Sequence, residues 1–303
     1  YIWVMKTVLS VLIYFCFIAP SYSQTPFYKK GKYGVKDASG NVILKAKYDY
    51  IHDFENGYAE IKLKGKYGLV NSQGIITIEP AYDFVNLIKG YELYDISVVK
   101  AGIYSNRRTH GLITPAGKIL LEPIYYNPVV FDPLYHVSKI ANDHGEGLLN
   151  STGRIVIPVK YSDIKVIGNL VQVQARNGSY GLFDLEGNML ISMEYTRLIK
   201  FNEGLWGALK KENIEYFNNE GIKTSPHIYE RGHYFMEGYA AIKRNGKYGF
   251  LNSTGKEVIT CEYDTVYAFK DGKSQGIKNG RSYNFTAPEK KQSNWDNLPD
   301  EFS

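Results

Sequence analysis

The residues best suited to chemistry lie between positions 95 and 146. This stretch holds three of the six histidines of the chain, with carboxylates and adjacent arginines: Asp95, Arg107, Arg108, His110, Asp132, His136, Asp143, His144 and Glu146. A histidine beside a carboxylate can transfer protons, and the same side chains can ligate zinc. No spacing such as His-Glu-x-x-His occurs, so no metal site or reaction is specified. We predict a non-enzymatic protein without a cofactor or metal, and keep a hydrolase with a site in the 86–146 loops as a distant alternative.

Two other segments resemble catalytic or phosphate-binding motifs, but neither has the secondary structure that such a motif requires. The segment Asn177-Gly-Ser-Tyr-Gly181 looks like a nucleophile elbow, but no helix follows it. Gly31 stands between two lysines and is interpreted as part of a hairpin turn, because a phosphate-binding loop would need a helix immediately after it. Cys261 occupies a position that is mostly apolar in the other copies of the repeat described next, so we expect it to pack rather than react.

The chain is a tandem repeat with a period close to 34 residues. A glycine marks six copies, and Glu215 takes its place in a degraded sixth copy: Gly34, Gly68, Gly111, Gly147, Gly181 and Gly249. A second glycine follows six residues after each of the seven positions, and a tyrosine follows eight residues after that. A fixed period of this size indicates a repeat architecture.

The second glycine ends a turn. In segments such as Asn71-Ser-Gln-Gly74, the first side chain can accept hydrogen bonds from the backbone, and glycine takes the left-handed conformation that returns the chain into a strand. Short runs rich in β-branched residues follow, as expected for buried strands. An upstream motif, as in Tyr58-Ala-Glu-Ile-Lys62, predicts a third strand, joined through a tight Lys64-Gly65 turn. The connector after Tyr-Asp could add a short fourth strand.

We therefore predict an all-β fold of about seven antiparallel β-meander repeats of 34 residues, stacked as an open β-solenoid, with a closed β-propeller as the alternative. The expected organisation is a signal peptide at 1–23, a repeat array at 24–285 and a polar tail at 286–303. One repeat alone buries too little apolar surface to fold, so stacking should supply the core.

The sequences GKYGLVNSQGIITIEPAYD and FMEGYAAIKRNGKYGFLNSTGKEVITCEYD resemble the WG-containing repeat of bacterial proteins. The resemblance runs from about Lys30 to Phe285, with tyrosine where the family's tryptophan stands. It implies a binding or scaffolding role, often in exported or envelope-associated proteins, and carries over no catalytic residue.

We call the first glycine of each copy, such as Gly68, the marker glycine. The aromatic ring directly before it has two interpretations. The favoured one is structural: the ring packs across strands, while glycine allows a close approach of a neighbouring strand. The other is a ladder of rings that stack on sugars. As candidate binding residues we take aromatic side chains and charged groups of the irregular third and fourth repeats: Tyr33, Tyr67, Tyr180, Trp206, Tyr248, Arg107, Arg108, His136 and His144.

The N-terminal residues predict export. Lys6 precedes an apolar run from Val8 to Ala19, and Ser21 and Ser23 offer a cleavage site before Gln24. No membrane anchor is expected after cleavage, and the location would be the periplasm, the cell surface or the extracellular space. The net charge of +5 is dispersed, without the basic stripe that nucleic-acid binding needs. We expect a cell-envelope binding or scaffold module for a cell-wall or other glycan, with a protein-binding scaffold as the alternative.

Overall fold

The computed structural model describes residues 24–100, 107–201, 204–232 and 234–287. The predicted signal peptide and most of the predicted polar tail lie outside these residues. Strands form throughout the described ranges, which contain no α-helix. Consequently, no helix in these ranges has the length and apolar character needed to span a membrane. The predicted all-β class is confirmed.

Within the described ranges, the strands form eight separate antiparallel sheets of three or four strands, named A to H in chain order. Sheets A to D contain β1 (Thr25–Lys29), β2 (Lys32–Lys36) and β3 (Val42–Tyr48); β4 (Tyr50–Ile51), β5 (Tyr58–Leu63), β6 (Lys66–Asn71) and β7 (Ile76–Tyr82); β8 (Phe84–Ile88), β9 (Leu93–Lys100), β10 (Arg107–Ile113) and β11 (Ile119–Tyr125); and β12 (Val137–Asn142), β13 (Gly145–Asn150) and β14 (Ile155–Tyr161). Sheets E to H contain β15 (Asp163–Ile167), β16 (Leu170–Gln174), β17 (Tyr180–Asp184) and β18 (Met189–Tyr195); β19 (Arg197–Lys200), β20 (Trp206–Lys210) and β21 (Asn213–Phe217); β22 (Arg231–Gly232), β23 (Tyr239–Arg244), β24 (Lys247–Asn252) and β25 (Glu257–Tyr263); and β26 (Thr265–Val266), β27 (Lys273–Lys278) and β28 (Arg281–Thr286).

None of these sheets closes into a barrel, and each is a meander of strands that are neighbours in sequence. This arrangement confirms the predicted array and is consistent with an open, solenoid-like stack. The connector after Tyr-Asp does form a strand, and the structure shows where it pairs: it is the first strand of the next sheet, as β4 and β8 show. Sheet H is the last sheet among the described residues.

The two predicted turns are present in detail. Asn71 Oδ1 accepts hydrogen bonds from the backbone N–H groups of Gln73 and Ile75 at 3.0 and 2.9 Å, and Gly74 has a φ of +79°. The Lys64-Gly65 turn has positive φ at both residues, +51° and +81°, which is the geometry of a tight two-residue hairpin. Local side-chain chemistry therefore defines the strand ends.

The marker glycine allows two strands to approach closely. Around Gly68 the register of β6 against β7 contains a bulge between the pairs Tyr67–Tyr82 and Leu69–Ile78. A Cβ atom on Gly68 would lie 2.2 Å from the carbonyl oxygen of Ile78. The same register places the tyrosine before the glycine opposite the tyrosine that ends the repeat, so the two residues form a cross-strand pair.

The hydrophobic core lies between consecutive sheets. One buried cluster joins Val35 and Leu44 of sheet A to Ile61 and Val70 of sheet B. Another joins Leu182 of sheet E to Trp206, in sheet F, and equivalent clusters bridge the other neighbouring pairs of described sheets. Stacking therefore buries the apolar face of each sheet, as the repeat pattern predicts.

The degraded sixth repeat has lost a strand as well as its glycine. Where other repeats have a long strand after the turn, this repeat has only isolated bridges, Phe217–Lys223 and Ile214–Tyr229. The missing strand leaves room for the side chain of Glu215, whose carboxylate accepts hydrogen bonds from Tyr195 Oη at 2.6 Å and from Lys223 Nζ. The glycine is therefore not required where the neighbouring strand is missing, so the two losses occur together.

Candidate binding grooves

Open grooves occur between consecutive sheets at equivalent places in the array. The first, the repeat-2 groove, lies between sheets B and C and has a volume of about 510 Å³. Its lining combines aromatic rings, carboxylates and apolar side chains: Tyr50, His52, Asp53, Phe54, Glu55, Tyr58, Glu60, Leu69, Val85, Leu87 and Tyr94. A concave surface with aromatic walls and a few polar groups is the usual form of a ligand site.

The second, the repeat-7 groove, lies between sheets G and H and has a volume of about 380 Å³. Its lining is largely aromatic and apolar: Tyr234, Met236, Tyr239, Ala241, Tyr248, Phe250, Thr265, Val266 and Ala268. Seven of these nine residues stand 181 positions after residues that line the repeat-2 groove. The groove is therefore a feature of the repeat itself, and its chemistry is set by which side chains fill the equivalent positions.

The two exceptions are Tyr248, whose ring precedes the marker glycine, and its neighbour Thr265. The residue at the position of Thr265 determines whether this ring is covered or lines the groove. The equivalent pair in repeat 2 is Tyr67 and Phe84, whose rings stack with centroids 5.9 Å apart. Threonine in place of Phe84 leaves the ring of Tyr248 as part of the groove wall.

A third groove, the repeat-6 groove, lies between sheets F and G. It is lined by Ile199, Phe201, Leu209, Glu212, Ile214, Arg231, Gly232 and Tyr234. Tyr234 also lines the repeat-7 groove, and its side chain is 71% exposed. The repeat-6 and repeat-7 grooves therefore meet at one exposed tyrosine.

The repeat-2 groove is acidic. Glu60 is half-buried on β5, and His52 Nε2 lies 3.4 Å from Glu60 Oε1. Burial raises the pKa of the Glu60 carboxyl, and the nearby His52 and Lys62 act in the opposite direction. Asp53 and Glu55 are exposed at the rim. Among the described lining residues, His52 is the one side chain able to carry a positive charge.

The tyrosines predicted to form a ladder are half-buried, and two of them are already in contact with other rings. The ring of Tyr33 lies 5.0 Å from that of Tyr28 and 5.5 Å from that of Tyr50. Tyr67 stacks on Phe84, and Tyr180 packs against the buried cluster between sheets E and F. Of this set, Tyr248 lines one of the three grooves described above.

Trp206 was predicted to be a binding residue, and its position in the structure corrects that prediction. Its side chain is fully buried between sheets E and F, and its Nε1–H donates a hydrogen bond to Asn219 Oδ1 at 3.1 Å. A ring with no exposed surface cannot contact a ligand, so Trp206 belongs to the core. Sequence alone suggested otherwise because tryptophan is common both in cores and at binding surfaces.

The charged candidates of the irregular repeats make local contacts. The guanidinium of Arg107 lies over the ring of Tyr126 at 3.4 Å, and that of Arg108 lies over Phe84 at 4.1 Å. His136 Nδ1 is 2.8 Å from Tyr91 Oη, and His144 is exposed in the turn between β12 and β13. These contacts position loop segments and hairpins.

Among the described candidates for acid–base chemistry, the structure brings a histidine together with a carboxylate. His110 Nδ1 lies 2.9 Å from Asp95 Oδ2, inside sheet C, where both side chains are buried. Burial raises the pKa of Asp95, while its hydrogen bond with His110 favours the charged form. Glu146 instead accepts hydrogen bonds from Lys139 Nζ and the backbone N–H of Ile164. The described residues contain no group of three or more histidine, cysteine, aspartate or glutamate side chains arranged to hold a metal.

The repeat pattern matches a known family across several segments. The family described as the WG-containing repeat matches residues 33–67, 147–174, 180–213, 216–248 and 248–280, which together make up more than half of the chain. The chain belongs to the WG-containing repeat family. That description names a repeat and specifies no ligand or reaction, so the WG repeats define the scaffold on which the grooves lie.

Several solved structures are similar to this WG-repeat chain at low identity. The computationally designed Ika8 protein is 14% identical with a TM-score of 0.25, over 88% of this chain and 96% of that chain. A eukaryotic initiation factor is 11% identical with a TM-score of 0.30, over 84% and 78%. Sqt1 of Saccharomyces cerevisiae is 11% identical with a TM-score of 0.26, over 88% and 92%. No curated protein matches the chain.

Proposed function

We propose that this WG-repeat protein is an exported, non-enzymatic binding module of the cell envelope that holds a polysaccharide in the grooves between its sheets. The observation that carries the proposal is the recurrence of one groove at equivalent positions in repeats 2 and 7. Grooves repeated along a stacked array suit a ligand that is itself a chain of similar units.

The walls of the repeat-7 groove suit a sugar. Three tyrosines, Tyr234, Tyr239 and Tyr248, line it together with Thr265. Tyrosine rings offer apolar faces to the C–H groups of a sugar, and hydroxyl groups supply hydrogen bonds. Export is part of the proposal because of the charged and apolar pattern of the N-terminal residues.

The test is retention on insoluble cell-wall and polysaccharide preparations. The purified chain should be retained saturably, and Tyr234→Ala should weaken retention, because Tyr234 lines two of the grooves. The control is Tyr28→Ala, which removes a tyrosine of similar exposure, 65%, on β1. Both side chains are exposed, so both variants should fold, which circular dichroism can verify.

Absence of retention of the folded parent would refute the glycan proposal. So would equal retention of the parent and Tyr234→Ala, provided that Tyr248→Ala, which removes another ring from the same groove, also has no effect.

A protein-binding scaffold is the second candidate, favoured by apolar side chains exposed in one segment of repeats 6 and 7. The exposed fractions are 63% for Ile222, 54% for Ile228 and 53% for Met236, close in sequence to Tyr234. Apolar surface of this kind is typical of protein interfaces. Under this alternative, no polysaccharide retains the chain, and substitution of Ile222 and Ile228 by serine abolishes binding to a protein of the same envelope.

A further inference from the structure

The repeat-2 and repeat-7 grooves differ in charge at equivalent positions. Where repeat 7 has Tyr234, Met236 and Ala241, repeat 2 has three carboxylates: Asp53, Glu55 and Glu60. Both grooves keep a tyrosine at the start of the second strand of the sheet, Tyr58 on β5 and Tyr239 on β23. One groove is thus an acidic version and the other a neutral version of the same site.

The positive charge near the carboxylates of the repeat-2 groove comes from His52, in the lining, and from Lys62 on β5, whose ammonium lies over the ring of Tyr67. The chain as a whole has a net charge of +5, yet no lysine or arginine is among the described residues lining this groove. His52 pairs with Glu60, while Asp53 and Glu55 stand at the exposed rim. An acidic groove in a basic protein is complementary to a cation.

Aromatic rings stand beside these carboxylates. Tyr50, Tyr58 and Tyr94 line the groove with Phe54, and Tyr94 is buried at its floor. A site with both rings and carboxylates stabilises an ammonium group in two ways. The negative face of a ring attracts the ammonium, and the carboxylates accept charge-assisted hydrogen bonds from it. The same rings can also stack against the body of a sugar.

We propose that the repeat-2 groove binds the free ammonium group of an amino sugar, so that the preferred ligand is a polysaccharide with at least some amines not acetylated. The inference rests on the proposed function, because it names the class of glycan that the grooves hold. Glu60 contacts the ammonium from the groove wall, while Asp53 and Glu55 attract it at the rim. The neutral repeat-7 groove accepts an uncharged unit of the same polymer.

The experiment compares two probes of equal length, a β-1,4-linked glucosamine hexamer and its fully N-acetylated form, in calorimetric titrations of the purified chain. We expect the glucosamine hexamer to bind at least about tenfold more tightly, the size of one hydrogen bond to a charged group. The Glu55→Gln, Glu60→Gln double variant should abolish that difference, and added salt should reduce it.

The matched control is the Glu79→Gln, Glu122→Gln double variant. It removes the same charge from two exposed glutamates on the post-turn strands β7 and β11, outside the described grooves. It should keep the preference for the glucosamine hexamer. Thermal unfolding of both double variants should resemble that of the parent, because glutamine keeps the size of the side chain.

Other outcomes separate this inference from the proposed function. Equal binding of both hexamers, unchanged by the groove variant, would overturn the ammonium site and leave polysaccharide binding standing. An equal loss in both double variants would mean a general charge effect and would also overturn the site. Hexalysine that binds as tightly as the glucosamine hexamer and displaces it would identify a basic peptide as the ligand. If neither hexamer binds and cell-wall retention also fails, both proposals fail.

Discussion

The second glycine of the repeat has two separate reasons to be glycine. It needs a positive φ in every turn, as at Gly40 and Gly74, with φ of +83° and +79°. In repeat 2 it also rests on the preceding repeat: a Cβ on Gly74 would lie 2.5 Å from the carbonyl oxygen of Ile43 in sheet A. Gly40 lies in the first described repeat, and a Cβ there would meet nothing within 4 Å. The marker glycine, by contrast, depends only on the neighbouring strand and is lost where that strand is lost.

Substituting alanine at these two positions should separate the two effects. Gly40→Ala should cost about 1 kcal/mol, the penalty for a left-handed residue with a Cβ. Gly74→Ala should cost about 1–3 kcal/mol more, because the added methyl group overlaps a backbone carbonyl of the neighbouring sheet. Denaturant unfolding of both variants measures the difference, and equal losses would show that close contact between repeats does not constrain this glycine.

Cys261 should react slowly with alkylating reagents. Burial raises the pKa of its thiol to about 11, and the side chain is half-buried in sheet G. The reactive thiolate is therefore scarce at neutral pH. Mass-spectrometric measurement of iodoacetamide labelling at Cys261 should show a rate that rises about tenfold per pH unit from pH 7 to 9, as long as the protein stays folded. A rate that levels off near pH 8 would contradict this prediction.

At the scale of elements, the aspartate of Tyr-Asp links one repeat to the next. Asp83 accepts a hydrogen bond from Lys66 Nζ of its own repeat at 2.7 Å and another from the backbone N–H of Val99 in the following repeat at 2.6 Å. Asp49 and Asp264 make equivalent pairs of contacts, with Lys32 and Lys64 N–H and with Lys247 and Asn279 N–H. The aspartate therefore links the lysine at the start of a strand in its own repeat to the backbone of the following repeat.

These links should weaken in acid. The hydrogen bond from Lys66 and then that from Val99 lower the pKa of Asp83 below its ordinary value of 3.8. The contribution to stability is complete above about pH 3.8 and is lost as the pH falls through the lower pKa of the folded state. Asp83→Asn should reduce stability at pH 7 by about 0.2–1 kcal/mol, because the pair is near the surface. The loss should shrink between pH 4 and 2.

The control for this prediction is Asp163→Asn. Asp163 is an exposed carboxylate on β15 that follows the end of a repeat in the same way, one residue later. Its replacement removes the same charge, and it should reduce stability at pH 7 less than Asp83→Asn does. If both variants behave alike in pH-dependent thermal unfolding, the link assigned to Asp83 makes no measurable contribution.

At the scale of the whole molecule, stability is shared between neighbours. Each buried cluster joins two consecutive sheets, as the one containing Ile61 does for sheets A and B. Contacts between neighbouring repeats provide the cooperativity of such arrays. A local defect therefore destabilises mainly the adjacent repeats. The grooves follow from the same arrangement, since each is bounded by two sheets.

A core defect in repeat 2 should stay local. Ile61→Ala should cost about 2–5 kcal/mol in that region, because Ile61 is fully buried. Hydrogen exchange should accelerate in sheets A and B and remain unchanged in sheets F and G. Val42→Ala, at a side chain that is 53% exposed, is the control and should alter neither. Uniform acceleration along the chain would indicate a single cooperative unit.

Much of this organisation was predictable from short-range chemistry. Asn71, Gly74 and the Lys64-Gly65 pair determine turns within a few residues, so the strand order within each repeat follows from the amino-acid sequence alone. The spacing of the glycines likewise predicted a stacked all-β array, which the family match and the sheets confirm.

What the sequence could not determine is which of the repeated rings meet solvent. Tyr67 and Tyr248 occupy the same repeat position, yet one is stacked beneath Phe84 and the other lines a groove beside Thr265. Trp206 lies in the core for the same kind of reason, because its surroundings come from two sheets. Turns and strand order are properties of neighbouring residues. Exposure and groove chemistry depend on side chains that come together only when one sheet packs on the next, so only the tertiary structure decided them.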